Sequence, residues 1–311
     1  MSILINRGSR IVILGWEAGE AVALAGEARD GVTRVVGVVC EGRGRGMMDG
    51  IPVLASLSQA CRKQVPHAAV ITVPPSLVKR TAAEAIRRNV PLLVISTPRV
   101  PLHDMMEVFS YARERALTII GPNSLGILSP GKGKAGMLGG SHEECAKIFR
   151  PGPAGLLSRS GGLLTEIAYG LTRLGIGQST CIGMGGDPLV GVHLVEIYRL
   201  FERDPQTKFV VISTGPGERG EEELGAYYQE SGRRKLLLAL VVGQEADRVP
   251  GLDLLGERGN SVRETVQKKK DIFTRAGIEV FGDLGALTRR CRELAPSCAP
   301  EGTPPRIEVL T

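Results

Sequence analysis

Short apolar runs alternate with amphipathic stretches through the first half of the chain. Runs at 10–14, 35–39, 68–73, 92–95 and 117–120 have the length and aliphatic content of strands. Stretches at 17–29, 76–88 and 104–115 carry helical patterning. In the second of these, Leu77, Val78, Ala82, Ala85 and Ile86 recur at helical spacing, while Lys79, Arg80, Arg87 and Arg88 face out. Short strands with helices between them predict a parallel, doubly wound α/β sheet. The rhythm breaks from Ser129-Pro130-Gly131-Lys132 to Arg150-Pro151-Gly152-Pro153, a stretch rich in Gly and Pro. It then restarts with strand-like runs at 154–157, 179–183, 209–213, 236–242 and 279–281. The division expected is a domain over 1–128, a linker over 129–153, a second α/β domain over 154–295 and an irregular tail over 296–311, where Pro296, Pro300, Pro304 and Pro305 fall.

Composition narrows the chemistry. The 311 residues suit two domains, and aromatics are only 4%, so the cores are expected to be aliphatic. A formal charge of +6 suits anionic small ligands such as nucleotides, CoA or carboxylates. Basic residues are scattered with few aromatics between them, which argues against a nucleic-acid platform. Cys40, Cys61, Cys145, Cys181, Cys291 and Cys298 show no CxxC spacing, so neither a disulfide framework nor a metal site on this chain is expected. Polar residues come too early for a signal peptide and no apolar run spans a bilayer, so a cytoplasmic protein with no membrane partner is expected.

Glycine clusters stand where such sheets bind ligands, beyond the carboxyl ends of strands. The first run leads into Gly15-Trp16-Glu17-Ala18-Gly19-Glu20, the place of a Rossmann phosphate turn. Only Gly15 and Gly19 of that pattern stand. Glu17 and Glu20 suit a helix N-terminus but repel a pyrophosphate, so the turn is either a capped helix start or a weakened nucleotide site. Gly121-Pro122-Asn123-Ser124 is either a ligand turn or a plain strand exit. In Ser158-Arg159-Ser160-Gly161-Gly162, Ser160 is a candidate N-cap, and Gly161 and Gly162 leave helix amides open to a phosphate or carboxylate. The run Gly183-Met184-Gly185-Gly186-Asp187-Pro188 lets backbone N–H groups approach an anion closely. Ser160, Gly161, Gly162, Gly185, Gly186 and Asp187 are accordingly predicted as one anion site. Glu221-Glu222-Glu223 reads as the solvated first turn of a helix and Lys268-Lys269-Lys270 as a solvated helix face. Glu218 has the chemistry of a base or ligand, but nothing in the sequence singles it out.

Several segments match, in order and approximate spacing, the α subunit of succinyl-CoA synthetase. They are Met1-Ser2-Ile3-Leu4-Ile5, Gly50-Ile51-Pro52-Val53, Val73-Pro74-Pro75, Ile120-Gly121-Pro122-Asn123, Ser158-Arg159-Ser160-Gly161, Asp204-Pro205-Gln206-Thr207 and the run 177–188. The chain resembles that family from its first residue to about Leu294. The resemblance implies a Rossmann-like CoA-binding domain followed by a flavodoxin-like domain, with CoA as cofactor and an ATP-grasp β subunit as partner. It implies cofactor contacts at Gly15, Glu17, Gly19, Arg43, Ser96, Thr97, Pro122 and Asn123. It also implies a reaction in which nucleotide phosphorylates a histidine, the phosphate passes to an acid, and CoA attacks the acyl phosphate.

The departures from the family fall at functional positions. A CoA-contacting lysine becomes Arg43, and the Ile-Thr-Glu stretch becomes Ser96-Thr97-Pro98. The family's substrate-loop tyrosine falls near Thr165, ahead of Glu166. The glutamate-bearing turn that orients the histidine becomes Thr214-Gly215-Pro216-Gly217-Glu218. The phosphohistidine segment is replaced by Gly251-Leu252-Asp253-Leu254-Leu255-Gly256, with the lost histidine near Leu254. The histidines are His67, His103, His142 and His193, and none follows His193. Leucine cannot carry phosphate; Asp253 has the chemistry for an aspartyl phosphate, or is simply exposed. Three readings stay open: an acyl-CoA synthetase subunit with an altered phosphoryl relay, a non-catalytic paralogue that regulates or scaffolds a partner, and an enzyme of changed chemistry using the same anion loops.

Overall fold

The computed structural model describes residues 3–15, 17, 33–40, 46–62, 64–216, 218–243 and 262–298. The patterned stretch 17–29, apart from Glu17, lies outside the described residues, as do Gly19, Arg43, Asp253 and Leu254.

The first sheet contains β1 (Arg10–Gly15), β2 (Arg34–Cys40), β3 (Gly46–Met48), β4 (Ile51–Leu54), β5 (Ala68–Ile71), β6 (Leu92–Ile95) and β7 (Thr118–Ile120). Its order is β3-β4-β2-β1-β5-β6-β7, parallel throughout except for the antiparallel β3–β4 pair. Between the strands run α1 (Leu57–Ala60), α2 (Pro75–Arg87) and α3 (Leu102–Glu114). Pro75 opens α2 at its first turn, where a missing N–H costs nothing. The helix buries Val78, Ala82, Ala85 and Ile86, as its periodicity predicts. Lys79 Nζ then bridges to Glu107 of α3 at 2.6 Å and to Asp104 at 3.3 Å.

The second sheet has the order β14-β13-β12-β10-β11-β8-β9. Its strands are β8 (Gly126–Ser129), β9 (Gly133–Gly136), β10 (Pro151–Ser158), β11 (Gln178–Gly183), β12 (Phe209–Thr214), β13 (Leu236–Val241) and β14 (Glu279–Phe281). The helices are α4 (His142–Ile148), α5 (Gly161–Arg173), α6 (Leu194–Arg203), α7 (Glu221–Glu230), α8 (Val262–Ala276) and α9 (Leu284–Cys298). Strands β10 to β14 pair in parallel, and β8 joins β11 antiparallel.

The expected linker over 129–153 is therefore corrected: it is structured and belongs to the second sheet. Strands β8 and β9 form a hairpin, and α4 opens with a capping box between Ser141 and Glu144. The glycines that suggested a flexible joint serve close packing. A Cβ on Gly126 would stand 2.0 Å from the Ala135 carbonyl oxygen, and one on Gly136 2.5 Å from that of Leu125. Ile127 and Ala135 of this hairpin share one buried cluster with Ile11, Ile13, Val70 and Val94 of the first sheet and Ile182, Val210 and Ile212 of the second. The tail also begins later than expected, because α9 carries Pro296 and runs to Cys298.

Two charge runs are corrected as well. Glu221 of α7 and Lys269 of α8 are 3% and 5% exposed, and Lys269 Nζ meets Glu221 Oε1 at 2.5 Å. A burial of this kind persists only with a paired charge and further hydrogen bonds. Thr214 Oγ1 supplies one to Glu221, and the Glu218 carbonyl accepts another from Lys269, both at 2.5 Å.

Candidate functional site

Parallel register places the carboxyl ends of β1, β5, β6 and β7 side by side, and with them most of the predicted cofactor residues. Gly15 ends β1, Ser96 and Thr97 follow β6, and Pro122 and Asn123 follow β7. Backbone hydrogen bonds tie these exits together: Thr72 donates to Leu14, Ser96 to Ile71 and Asn123 to Thr97, at 2.9–3.0 Å. Thr97 Oγ1 donates to the Val73 carbonyl at 2.7 Å, so this hydroxyl shapes the rim. Ser96 is 8% exposed and its Oγ has no hydrogen-bond partner, a polar group that a ligand at the rim can satisfy. Glu17 is exposed at the same edge.

Pro122 and Asn123 meet the second domain. Pro122 is buried, and a Cβ on Gly185 would stand 2.1 Å from its carbonyl oxygen. Gly185 has φ +115°, a conformation open to glycine alone at this packing. The Gly186 amide donates to the Asn123 carbonyl at 3.0 Å, and the Gly121 amide to that of Met184 at 2.9 Å. The Asp187 carboxylate accepts the Arg99 amide at 2.9 Å across the same junction. Arg159 Nε donates to the Gly185 carbonyl at 3.0 Å, and its Nη2 donates to that of Asp187. Much of the glycine loop is thus committed to holding the domains together. A carboxylate is also the wrong charge to face an anion.

The helix start at Ser160 is different. Ser160 caps α5 by accepting the Leu163 amide at 3.4 Å, while Gly161 and Gly162 form the first turn, whose amides have no acceptor within a helix. Ser160 and Gly162 are exposed, and nothing lies within 4 Å of a Cβ built on Gly162. The Ser158 hydroxyl receives the Ser160 amide at 3.0 Å and the Ser213 hydroxyl at 2.5 Å, fixing this turn to the end of β12. Thr165 Oγ1 bonds back to the Gly161 carbonyl, and Glu166 is exposed.

The turn after β12 brings in Glu218, which the sequence offered as a base or ligand without singling it out. The residue is partly buried, but its Oε2 is sealed from solvent and has no hydrogen-bond partner. Burial pushes its carboxyl up to about 7, against Arg159 and Lys269, which pull it down, and with Glu221, which raises it further. Arg159, Lys269 and Glu218 are the residues that sequence patterning missed here. The one available signal was that Glu218 follows a strand next to the one that ends at Ser158.

Two family models cover this architecture: the CoA binding domain matches residues 7–99, and CoA-ligase matches residues 157–274. The chain is 36% identical over 230 residues to succinate–CoA ligase (ADP-forming) subunit alpha 2 of Archaeoglobus fulgidus, covering 74% of this chain and 78% of the relative. It is 32% identical over 293 residues to the corresponding subunit of Methanothermobacter thermautotrophicus, covering 93% and 96%. The chain belongs to the succinate–CoA ligase α subunit family.

This α-subunit-type chain also resembles the sulfoacetate–CoA ligase subunit SqwL of an Acholeplasma species, at 30% identity over 90% of this chain and 94% of the relative. Its fold matches ATP citrate lyase from Methanothrix soehngenii, solved with citrate and coenzyme A, with a TM-score of 0.84 at 20% identity. The match takes in 99% of this chain, which spans about half the length of that solved chain, 54%. The first α/β unit is therefore the family's CoA-binding domain and the second its ligase domain, in Rossmann-like and flavodoxin-like arrangement. Among the described residues no group of His, Cys, Asp and Glu is placed to hold a metal ion, and no helix is long and apolar enough to cross a membrane.

Proposed function

We propose that this chain serves as the α-type subunit of an ADP-forming acid–CoA ligase, paired in the cytoplasm with an ATP-grasp β-type subunit, and that it works without a phosphohistidine. The observation that carries this reading is the coexistence of family membership across both domains with a sequence that has no histidine after His193. A phosphoryl relay needs a ring nitrogen, and the position near Leu254 offers none. Phosphorylation of the acid then takes place directly at the partner's nucleotide site, with the bond to the departing diphosphate broken in one transfer.

In this reading the first domain holds CoA along the rim of Gly15, Glu17, Ser96 and Thr97, and Gly19 and Arg43, implied by the family resemblance, add to its contacts. The unpartnered Ser96 Oγ fits a polar ligand there, and Glu17 weakens the hold on a pyrophosphate. When bound, CoA supplies the thiol that accepts the acyl group. In the second domain the amides of Gly161 and Gly162 hold the anion, capped by Ser160, while Gly185, Gly186 and Asp187 keep the two domains in register. A second reading, a non-catalytic paralogue that regulates or scaffolds a partner, is favoured by the same missing histidine.

The test is to incubate the chain with a cognate β-type subunit, labelled ATP, candidate dicarboxylic and sulfonated acids, and CoA. The expected result is ADP and acyl-CoA with no acid-labile, base-stable label on this chain. Label of that type on any of its histidines would overturn the altered relay. Label that is acid-stable and base-labile would point to Asp253. Failure of every acid, with a stable complex still formed, would favour the second reading.

A further inference from the structure

Strand β7 is an edge strand, paired only with β6, and its other side faces the second domain. Thr118 donates its amide to the Pro91 carbonyl at 3.0 Å on the β6 side, so the backbone groups of Ile119 and Gly121 point to the free side. Gly121 has both of its groups satisfied there. Its amide donates to the Met184 carbonyl at 2.9 Å, and its carbonyl accepts the Gly191 amide at 3.0 Å. Ile119 is different. Gly191 crowds its carbonyl, since a Cβ on Gly191 would stand 2.5 Å from that oxygen. Its amide has no acceptor among the described residues, although Ile119 is buried. A buried amide of this kind calls for a partner.

Ile119 lines a cavity of about 490 Å³ at the seam of the two domains. Domain seams are favoured places for small-molecule sites, which span about 300–1,000 Å³. Phe109 of α3 and Ile197 and Leu200 of α6 give the cavity apolar walls. Each domain also contributes one charge, Arg113 at the end of α3 and Glu196 in the first turn of α6. Both residues are exposed, and among the described residues neither forms an ion pair, with the other or with anything else. Glu196 Oε2 accepts the His193 amide at 2.7 Å, a bond that cancels no charge. His193, the remaining ionisable group on the lining, stands 3.9 Å from Glu223 of α7.

We propose that this cavity binds a zwitterion with a compact apolar body, of the α-amino acid class. Arg113 and the Ile119 amide take the carboxylate, Glu196 takes the ammonium group, and Phe109, Ile197 and Leu200 take the side chain. A simple carboxylate would meet Glu196 as a like charge, and a simple amine would meet Arg113 in the same way. Only a ligand that carries both signs suits both walls. The cavity lies at the entry of β7, whereas the CoA rim lies past the carboxyl ends of the strands. It is therefore separate from that rim, and it does not depend on the ligase reading. A ligand that touches both domains stabilises the folded chain by mass action.

L-Leucine is the probe, beside 4-methylpentanoate, which lacks its ammonium group, and 3-methylbutylamine, which lacks its carboxylate. Affinity of the full chain for each is measured by calorimetry, with the thermal shift as a second readout. Leucine should bind once per chain, at least about tenfold more tightly than either fragment, the effect of one charge-assisted hydrogen bond. Arg113→Gln should weaken leucine by about tenfold or more and should not weaken 3-methylbutylamine. Glu196→Gln should weaken leucine to a similar extent and should not weaken 4-methylpentanoate. Both residues are exposed, and glutamine serves a capping box as glutamate does, so both variants should melt as wild type does without ligand. Leucine affinity equal in wild type and both variants would overturn the proposal. So would 4-methylpentanoate or 3-methylbutylamine bound as tightly as leucine, or neither heat nor thermal shift with leucine.

Discussion

Two glycine-rich turns stand at neighbouring strand ends in the second domain, and they do opposite work. After β11, Gly185 and Gly186 let the backbone press against Pro122 and Asn123, and the loop is consumed by the domain junction. After β10, Gly161 and Gly162 begin a helix, the first packed on the Leu125 side chain and the second exposed. Glycine content is the same cue in both. The difference lies at one residue of each turn: a Cβ on Gly185 would meet a backbone carbonyl oxygen at 2.1 Å across the domain junction, while one on Gly162 would meet nothing within 4 Å, although its neighbour Gly161 is packed against the Leu125 side chain.

The comparison can be broken by removing what supports it. The largest effect is expected from Lys269→Met, which leaves Glu221 charged and unpaired in a buried setting and frees the turn that carries Glu218. Urea unfolding should show a loss of about 3–5 kcal/mol. Next comes Glu218→Gln. The native protein holds a proton that the unfolded chain gives up, so wild-type stability falls as pH climbs from the ordinary carboxylate range to about 7 and levels off above it. The glutamine variant should lack that slope and gain about 3 kcal/mol over wild type at pH 8, by the value of one pKa unit. Equal slopes in the two proteins would show that the carboxyl is not held neutral.

Gly185→Ala should cost about 2 kcal/mol or more, from strain at positive φ and overlap with Pro122. Gly162→Ala, the matched change on the other turn, should stabilise α5 by about 0.5–1 kcal/mol, the helix propensity of alanine over glycine. Opposite signs in thermal melts of these two variants would sharpen the contrast, and equal losses would erase it.

The α/β alternation was legible because the strands are short aliphatic runs between periodic helices. The described strands begin and end close to the expected limits, as at Leu92–Ile95 and Glu279–Phe281. The β8–β9 hairpin was not legible, since Gly and Pro mark turns and tight hairpins alike, and only the register across β11 tells them apart. The same limit applies to charge. Glu221 and Lys269 each sit in a polar run, and no local pattern joins positions so far apart in the chain. Asp187 looked like part of an anion loop because its partner, the Arg99 amide, belongs to the other domain. Family resemblance carried the reading further than patterning did, to CoA and to the missing histidine, and the family matches bear out the CoA-binding and ligase domains.

The proposed function requires the anion to bind at the start of α5 and not in the loop after β11. A crystal structure of the chain grown in phosphate near pH 6 tests it most directly. Phosphate is expected against the amides of Gly161 and Gly162 beside Arg159, with the Gly186 amide still on the Asn123 carbonyl and Asp187 still on Arg99. Phosphate seated on the Gly185 and Gly186 amides, with the junction bonds to Asn123 and Arg99 broken, would contradict it.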